Sequence, residues 1–190
     1  MKIRTLYNNL DINHLIVRAI NNERIAQTEL YNRFAPKMLS VCRYYTKDLQ
    51  YAEDVMIRGF MKAFQNLKKF NNMGSFEGWL RKIMTREAID FLRAHKSLDF
   101  TDNLESLLPP PVLKSKNKEH TEEYLQRCID QLPDGYRVVF VLYAIEGYSH
   151  KEISKKLEIS IGTSKSQLFK ARKMLQKIVQ IEEKEVGYGK

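Results

Sequence analysis

Hydrophobic residues in the first half of the chain recur every three or four positions, which is the period of an amphipathic α-helix. The first series consists of Leu30, Phe34, Met38, Val41 and Tyr45. The second series spans residues 52–67 and begins near the acidic pair Glu53 and Asp54, which suits a helix N-terminus because acids face its positive dipole end. The third series spans residues 79–92, and Ser75 is placed to cap its helix. These three helices predict a helical bundle.

The pattern after residue 121 is also helical, with one ambiguous stretch. Leu125, Ile129 and Leu132 have helical spacing, whereas residues 136–145 are rich in β-branched and aromatic side chains and suit a strand equally well. We interpret this stretch as a helix because the chain offers no second strand to pair with it. Gly147 is placed to end it in a left-handed conformation.

Two further helices follow with a short turn between them. Ser149 and Glu152 have the spacing of a capping box, which starts a helix that runs to about Glu158. A turn at residues 159–160 leads to a second helix that reaches about Val179. Its apolar spine is predicted to contain Ser164, Leu168, Ala171 and Leu175. The residues that point broadly away from the spine are Lys165, Ser166, Phe169, Lys170, Lys173 and Lys177.

This arrangement predicts a helix-turn-helix with a basic outer face, which fits the major groove of DNA. The alternative is two ordinary packed helices with a solvated charged face.

Residues 97–120 interrupt the helical pattern. They contain Pro109, Pro110 and Pro111, followed by a stretch rich in Lys, Ser and Asn. Three consecutive prolines do not fit inside a helix, so this segment is predicted to be a flexible linker. The expected fold class is therefore all-α: two small helical domains, residues 1–96 and 121–190, joined by residues 97–120.

Charge favours a polyanionic partner. The chain has 32 Lys and Arg against 23 Asp and Glu, for a net charge of +9. Residues 165–177 hold five cations and no acid, and a second cluster near residues 81–96 is interrupted only by Glu87 and Asp90. Basic residues on two separate helical stretches suggest a polyanion that touches the protein twice. Two solvated helix faces are the alternative interpretation.

The composition argues against several other classes of protein. Cys42 and Cys128 stand alone, which favours two buried thiols in a reducing cytoplasm over a disulfide scaffold or a metal site. The longest strongly apolar run has eight residues, too few to span a bilayer, and the N-terminal residues do not resemble a secretory signal. No phosphate-binding glycine loop or nucleophile motif is present, so we expect neither a cofactor nor an enzyme. The histidines lack ligand spacing and are expected at the surface: His14, His95, His120 and His150.

Taken in order, the motifs resemble the extracytoplasmic-function (ECF) sigma factors of the sigma-70 family. In the second domain the matching stretches are LP at 132–133, YRVVF at 136–140, EGYSHKEI at 146–153, ISIGTSKS at 159–166 and KAR at 170–172. In the first domain they are LYNRFAP at 30–36, AEDV at 52–55, GSFEGWL at 74–80 and AIDFLR at 88–93. The resemblance covers about residues 23–180, with the linker in the expected place.

The resemblance implies a cytoplasmic bacterial initiation factor that joins core RNA polymerase and reads promoter DNA. The second domain would read the −35 element through Thr163, Lys165, Ser166, Phe169, Lys170 and Lys173. The first would read the −10 element through Phe70, Asn71, Asn72, Ser75, Arg81, Lys82 and Arg86. The polymerase-binding residues would be Asp54, Arg58, Phe60 and Met61. An anti-sigma factor is a further candidate partner.

Three residues depart from the family pattern. Ile57 and Arg58 stand where a Gln-Glu pair is usual, Arg86 replaces a common Asn, and Ser164 replaces an apolar residue of the spine. Asp54 and Arg58 lie four residues apart, which permits an ion pair within the helix. Arg58 keeps an alternative open: a two-domain DNA-binding regulator that no longer recruits polymerase. A generic protein that binds an acidic partner is a third possibility.

Overall fold

The computed structural model describes residues 12–71, 74–95, 98, 100 and 122–187, with side chains up to residue 179. Every regular element in these residues is helical, which confirms the predicted all-α fold class. The chain folds into two compact units, residues 1–91 and 92–190. Of the predicted linker, only Leu98 and Phe100 fall within the described residues, so its flexibility stays a prediction.

Within its described residues, the first unit contains four α-helices and one short 3₁₀ turn. They are α1 (Ile12–Ile20), α2 (Arg24–Tyr45), α3 (Leu49–Gln65), the 3₁₀ turn Leu67–Lys69, and α4 (Phe76–Ala94). Helix α1 was not predicted. Helix α3 begins one turn before the acidic pair, because Asp48 Oδ1 accepts hydrogen bonds from the Gln50 and Tyr51 amides at 2.7 and 3.1 Å. Asp48 therefore supplies the N-cap, and the predicted start near Glu53 was wrong.

The core of the first unit contains the predicted apolar faces. All five members of the first hydrophobic series are buried in α2. Gly59 permits close packing around Met84, since a Cβ there would lie 2.9 Å from Met84 Cε and nearer still to Sδ. Because α3 and α4 carry the candidate functional residues of this unit, this packing fixes the platform on which those residues stand.

The described residues of the second unit form four α-helices, one of which ends in a π-helical turn. They are α5 (Glu122–Asp130), α6 (Asp134–Phe140) with the π-helical turn Val141–Ile145, α7 (His150–Leu157) and α8 (Ile161–Gly187). The ambiguous stretch is thus helical, as predicted. The Glu146 amide donates to the Val141 carbonyl at 2.9 Å, five residues back. Gly147 then adopts a φ of 74°, the left-handed conformation expected where the helix stops.

Helix α8 packs against α6 through an apolar cluster. The buried members of the cluster are Leu132, Tyr136 and Ala171, and half-buried Phe140, Met174 and Leu175 surround them. The long helix is therefore held along one side, which leaves its opposite side to solvent.

Candidate DNA-binding surfaces

Helix α7 begins with the predicted capping box. Ser149 Oγ accepts a hydrogen bond from the Glu152 amide at 3.3 Å, and the Glu152 carboxylate accepts one from the Ser149 amide at 2.9 Å. Both backbone donors at the helix start are thereby satisfied. The capping box fixes the residue at which α7 starts.

The turn between α7 and α8 is short and held by side-chain hydrogen bonds. Glu158 adopts a left-handed conformation with a φ of 59°, which ends α7. Ser154 Oγ donates to the Ile159 carbonyl at 2.6 Å. Ser160 Oγ accepts from the Thr163 amide at 2.8 Å and so caps the first turn of α8. These contacts produce the tight geometry of a helix-turn-helix.

The inner face of α8 contains the predicted spine. Ser164, Leu168 and Ala171 are buried and Leu175 is half-buried. Gln167 is also fully buried, which the sequence did not predict; its amide donates to the Phe100 carbonyl at 3.1 Å. The helix itself extends to Gly187, beyond its predicted end.

The outer face of α8 carries the predicted −35 residues with graded exposure. Lys165, Phe169 and Lys173 are exposed, and Phe169 stands out with 67% of its surface open to solvent. The other three members, Thr163, Ser166 and Lys170, are half-buried. The hydroxyl of Ser166 donates to the Thr163 carbonyl at 3.0 Å. The outermost features are thus two cations and one phenyl ring.

His150 is a residue whose role the sequence did not predict. We expected a surface side chain, but its Nδ1 lies 2.9 Å from Ser164 Oγ, and its ring stacks on Tyr143 with centroids 4.7 Å apart. Burial, followed by the nearby cations Lys165 and Arg172, lowers the pKa of His150 below its ordinary value. The one sequence signal was a polar residue, Ser164, in an otherwise apolar spine.

The loop before α4 divides into a buried base and an exposed rim. Phe70 is buried, and its ring contacts those of Phe76 and Trp79 at centroid distances of 5.5 and 5.6 Å. Phe70 therefore lies beneath the proposed −10 surface, and the prediction that it contacts DNA directly does not fit its burial. Asn71 and Ser75 are exposed, whereas Asn72 lies outside the described residues.

Ser75 starts α4 as the sequence predicted. Its Oγ accepts a hydrogen bond from the Gly78 amide at 3.0 Å, the position of an N-cap contact. The cap fixes the point at which the loop passes into α4, and it places the Ser75 hydroxyl at the edge of the exposed rim.

The outer face of α4 is cationic. Lys82 and Arg86 are exposed and Arg81 is half-buried. The acid that interrupts this cluster in the sequence, Glu87, is buried and pairs with Lys62 of α3 at 2.5 Å. Glu87 is therefore neutralised inside the unit, whereas Asp90 is exposed and lies 4.0 Å from Arg86, where it reduces the positive charge of the outer face.

Helix α3 presents an exposed face of mixed chemistry. Asp54 and Arg58 are exposed beside Ile57 and Met61, whose surfaces are 47% and 58% exposed. The permitted ion pair between Asp54 and Arg58 is not formed in the described structure. Phe60 is buried, with its ring 4.8 Å from that of Tyr31, so its predicted place on the polymerase-binding surface does not fit its burial.

The structure therefore defines a two-domain helical protein with a helix-turn-helix in its second unit and a second cationic helix in its first. Of the helices in the described part of the chain, none is both long enough and apolar enough to cross a membrane. Two family profiles match these units: sigma-70 region 2 over residues 30–98, and sigma-70 region 4 over residues 122–175.

Curated relatives carry the same assignment. The chain is 30% identical over 149 residues to the ECF RNA polymerase sigma factor SigM of Bacillus subtilis, covering 77% of this chain and 91% of the relative. It is 28% identical over 167 residues to the ECF RNA polymerase sigma factor SigW of the same organism, covering 80% and 88%.

Two solved structures share the fold. One is CnrH in complex with the cytosolic domain of CnrY, with a TM-score of 0.50, 22% identity, and coverage of 90% of this chain and 99% of that one. The other is the sigma factor RpoE with the anti-sigma factor NepR from Bartonella quintana, with a TM-score of 0.52, 18% identity, and coverage of 82% and 97%.

The chain belongs to the ECF sigma factors of the sigma-70 family. It is a transcription initiation factor that works with RNA polymerase, as the motifs predicted. The alternative of a regulator that no longer recruits polymerase is not favoured.

Proposed function

We propose a division of labour between the two units at the promoter. The second unit reads the −35 element with the outer face of α8, the first reads the −10 element with residues 71–75 and α4, and α3 binds core RNA polymerase. The observation that carries the proposal is the outer face of α8, where an exposed phenyl ring lies between exposed cations on a capped helix-turn-helix.

The outer face of α8 has the chemistry that base reading requires. The major groove is about 12 Å wide and admits one helix, whose side chains then meet the base edges. Lys165 supplies a donor for base acceptors, the hydroxyls of Thr163 and Ser166 supply smaller polar contacts, and Phe169 supplies an apolar surface for a thymine methyl. Lys170 reaches a base edge or the nearby backbone, and Lys173 binds phosphate.

The first unit has the parts needed to hold an opened strand. An unstacked base must be bound in a protein pocket, at a cost of a few kcal/mol. The exposed Asn71 and Ser75, together with Asn72, supply hydrogen-bonding groups for a base edge. Lys82 and Arg86 on α4 supply charge for the adjoining backbone, with Arg81 beside them. The buried Phe70 supports this loop from below.

The exposed face of α3 suits a protein partner. Ile57 and Met61 provide apolar area, and Asp54 and Arg58 provide charge beside it. Such a combination of apolar centre and polar edge is typical of protein interfaces. Core RNA polymerase is the proposed occupant of this face.

The proposal extends to the cellular setting of the protein. The chain acts as a non-enzymatic factor in the cytoplasm, with promoter DNA and core polymerase as its partners. Since RpoE was solved with the anti-sigma factor NepR, an anti-sigma factor is proposed as a further partner. Two weak DNA contacts on one tethered chain gain affinity from effective concentration, so neither unit needs to bind tightly alone.

Run-off transcription tests the proposal directly. Holoenzyme reconstituted from this chain and core polymerase is given a template library with both promoter elements randomised, and the transcribed templates are sequenced. We expect two conserved blocks separated by a fixed spacing. Lys165→Ala should relax the upstream block and deletion of residues 71–73 should abolish opening at the downstream block, measured by permanganate reactivity. Transcripts without sequence preference, or none, would refute the proposal.

A further inference from the structure

A polar contact joins the two helices of the helix-turn-helix through their interior. Ser164 is fully buried in the spine of α8, where its neighbours Leu168 and Ala171 are apolar. Its Oγ lies 2.9 Å from Nδ1 of His150, the first residue of α7. We call this contact the His150–Ser164 bridge.

The histidine ring is held on its other side by a second contact. It stacks on Tyr143 of the π-helical turn at an interplanar angle of 26°. The guanidinium of Arg172 lies 5.4 Å from the centroid of that same tyrosine ring. The side chains therefore contact one another in the order Ser164, His150, Tyr143 and Arg172, and the first and last of these belong to α8.

Two attachment points control the direction of α8 as well as its position. Ser164 and Arg172 are eight residues apart, which corresponds to about 12 Å along a helix axis. Ile153 and Leu157 of α7 are buried apolar residues, and apolar packing has no directional preference. A hydrogen bond depends steeply on distance and angle, so the bridge adds a directional constraint to those of the turn.

Small rotations of α8 matter for base reading. Side chains end about 5–6 Å from a helix axis, so a rotation of about 10° moves their tips by about 1 Å. A hydrogen bond to a base edge spans a range of only about 0.5 Å. Lys165 follows Ser164 directly in the chain, and Phe169 lies on the next turn, so both depend on the bridge for their direction.

We propose that His150 is a positioning residue for promoter recognition, and that the His150–Ser164 bridge sets the angle at which α8 presents its outer face to the −35 element. The proposal rests on the proposed function of α8. It assigns a role to a residue outside the set proposed to contact bases, and it gives a physical reason for a hydroxyl in a spine that is otherwise apolar.

The test uses holoenzyme and a template library randomised at the −35 element. His150→Phe keeps a ring for Tyr143 but removes the hydrogen bond, and Ser164→Ala removes the same bond from the other side. Each variant should reduce the preference for the best −35 sequence about fivefold, the factor that one net hydrogen bond carries. The double variant should lose no more than either single variant, because both remove one shared contact. Ser40→Ala, which deletes a helix hydroxyl in the first unit, is the matched control and should keep the wild-type preference.

Two further readouts separate positioning from general stability. All measurements are made at a temperature where urea unfolding shows every variant to be folded, so that lost stability alone leaves the preference unchanged. The imidazole ¹⁵N resonance of Nδ1 should shift in Ser164→Ala and not in Ser40→Ala.

The outcomes distinguish the two proposals. Preferences within twofold of wild type, or losses that add in the double variant, would overturn the role of the bridge while leaving −35 reading by α8 intact. A wild-type holoenzyme with no −35 preference would overturn both.

Discussion

Phe169 offers the sharpest single test of how the outer face of α8 contacts DNA. It is 67% exposed although it is a large apolar side chain, and it lies on the turn after Lys165. Replacement by alanine removes the ring without disturbing the buried spine. We therefore expect Phe169→Ala to act on DNA recognition and to leave the free energy of unfolding nearly unchanged.

The size of the effect follows from the exposed area. An aromatic ring buries about 200 Å² when fully enclosed, and about two-thirds of that is still available on Phe169 because 67% of its surface is exposed. At about 25 cal/mol per Å², this area is worth at most about 3 kcal/mol. A groove covers only one side of the ring, so about half of that value, or about tenfold in affinity, is the expected loss.

The assay compares holoenzyme binding to the preferred −35 duplex and to duplexes with one substituted base pair. Phe169→Ala should lose affinity for the preferred duplex and show less discrimination at one base pair, while Phe169→Leu keeps part of both. Leu125→Ala on α5 is the matched control, since Leu125 is an apolar residue of the same unit with 42% exposure. An equal loss on every duplex, or no loss, would refute the assignment of Phe169 to a base.

Four other changes test separate parts of the structure. Arg58→Glu should tighten binding to core polymerase about tenfold at low salt, because the family pattern has an acid at this position and the polymerase surface that meets it is therefore expected to be cationic, and this gain should shrink in a salt titration; equal affinities throughout would place the residue outside the interface. Gly59→Ala should lower the free energy of unfolding by about 1 kcal/mol in urea denaturation, because overpacking against buried Met84 outweighs the better helix propensity. Ser149→Ala should cost about 1 kcal/mol by loss of the capping box, with a matching decrease in the urea midpoint of the second unit. The pKa of His150 is lower in the folded protein than in the unfolded chain, so below pH 6.5 the unfolded chain binds a proton more readily than the folded protein does. The stability of the wild type should therefore fall, relative to that of His150→Phe, as the pH drops below 6.5. A stability difference between the two proteins that is constant with pH would contradict this.

The parts of the fold that the sequence predicted are those with strong local signals. The spine of α8 follows from a clear helical period, and the capping box at Ser149 follows from two side chains that act within one turn. Helix α1 was missed, and α3 was started late because Asp48 was not recognised as its cap. Helix α1 and the cap at Asp48 are both local features, but their signals in the sequence are weak or are easily confused with the signals of neighbouring residues.

The missed features of the site depend on contacts between helices. The helical period already placed Phe60 on the apolar face of its helix, and only the family resemblance placed it on the polymerase-binding surface; it is buried against the ring of Tyr31. Phe70 was expected in a DNA-contacting loop, but it is buried against the ring of Phe76. His150 gains its role from Ser164, fourteen residues later, and no periodicity within one helix reports such a contact. Helical spacing describes a side chain relative to its own axis, whereas burial is decided by what packs against that axis.

The π-helical turn at Val141–Ile145 has a consequence for insertions and deletions. The hydrogen bond from Glu146 to Val141 closes a loop one residue longer than an α-helical one, so the turn holds one residue more than an ordinary helix would. Removing one residue there would restore α-helical hydrogen bonding while leaving α6 before the turn and Gly147 after it in place. A relative that is one residue shorter in this region would therefore align best with its gap inside the turn. Such a relative would keep the helix-turn-helix, and it would keep the ring that supports His150 only where the gap follows Tyr143.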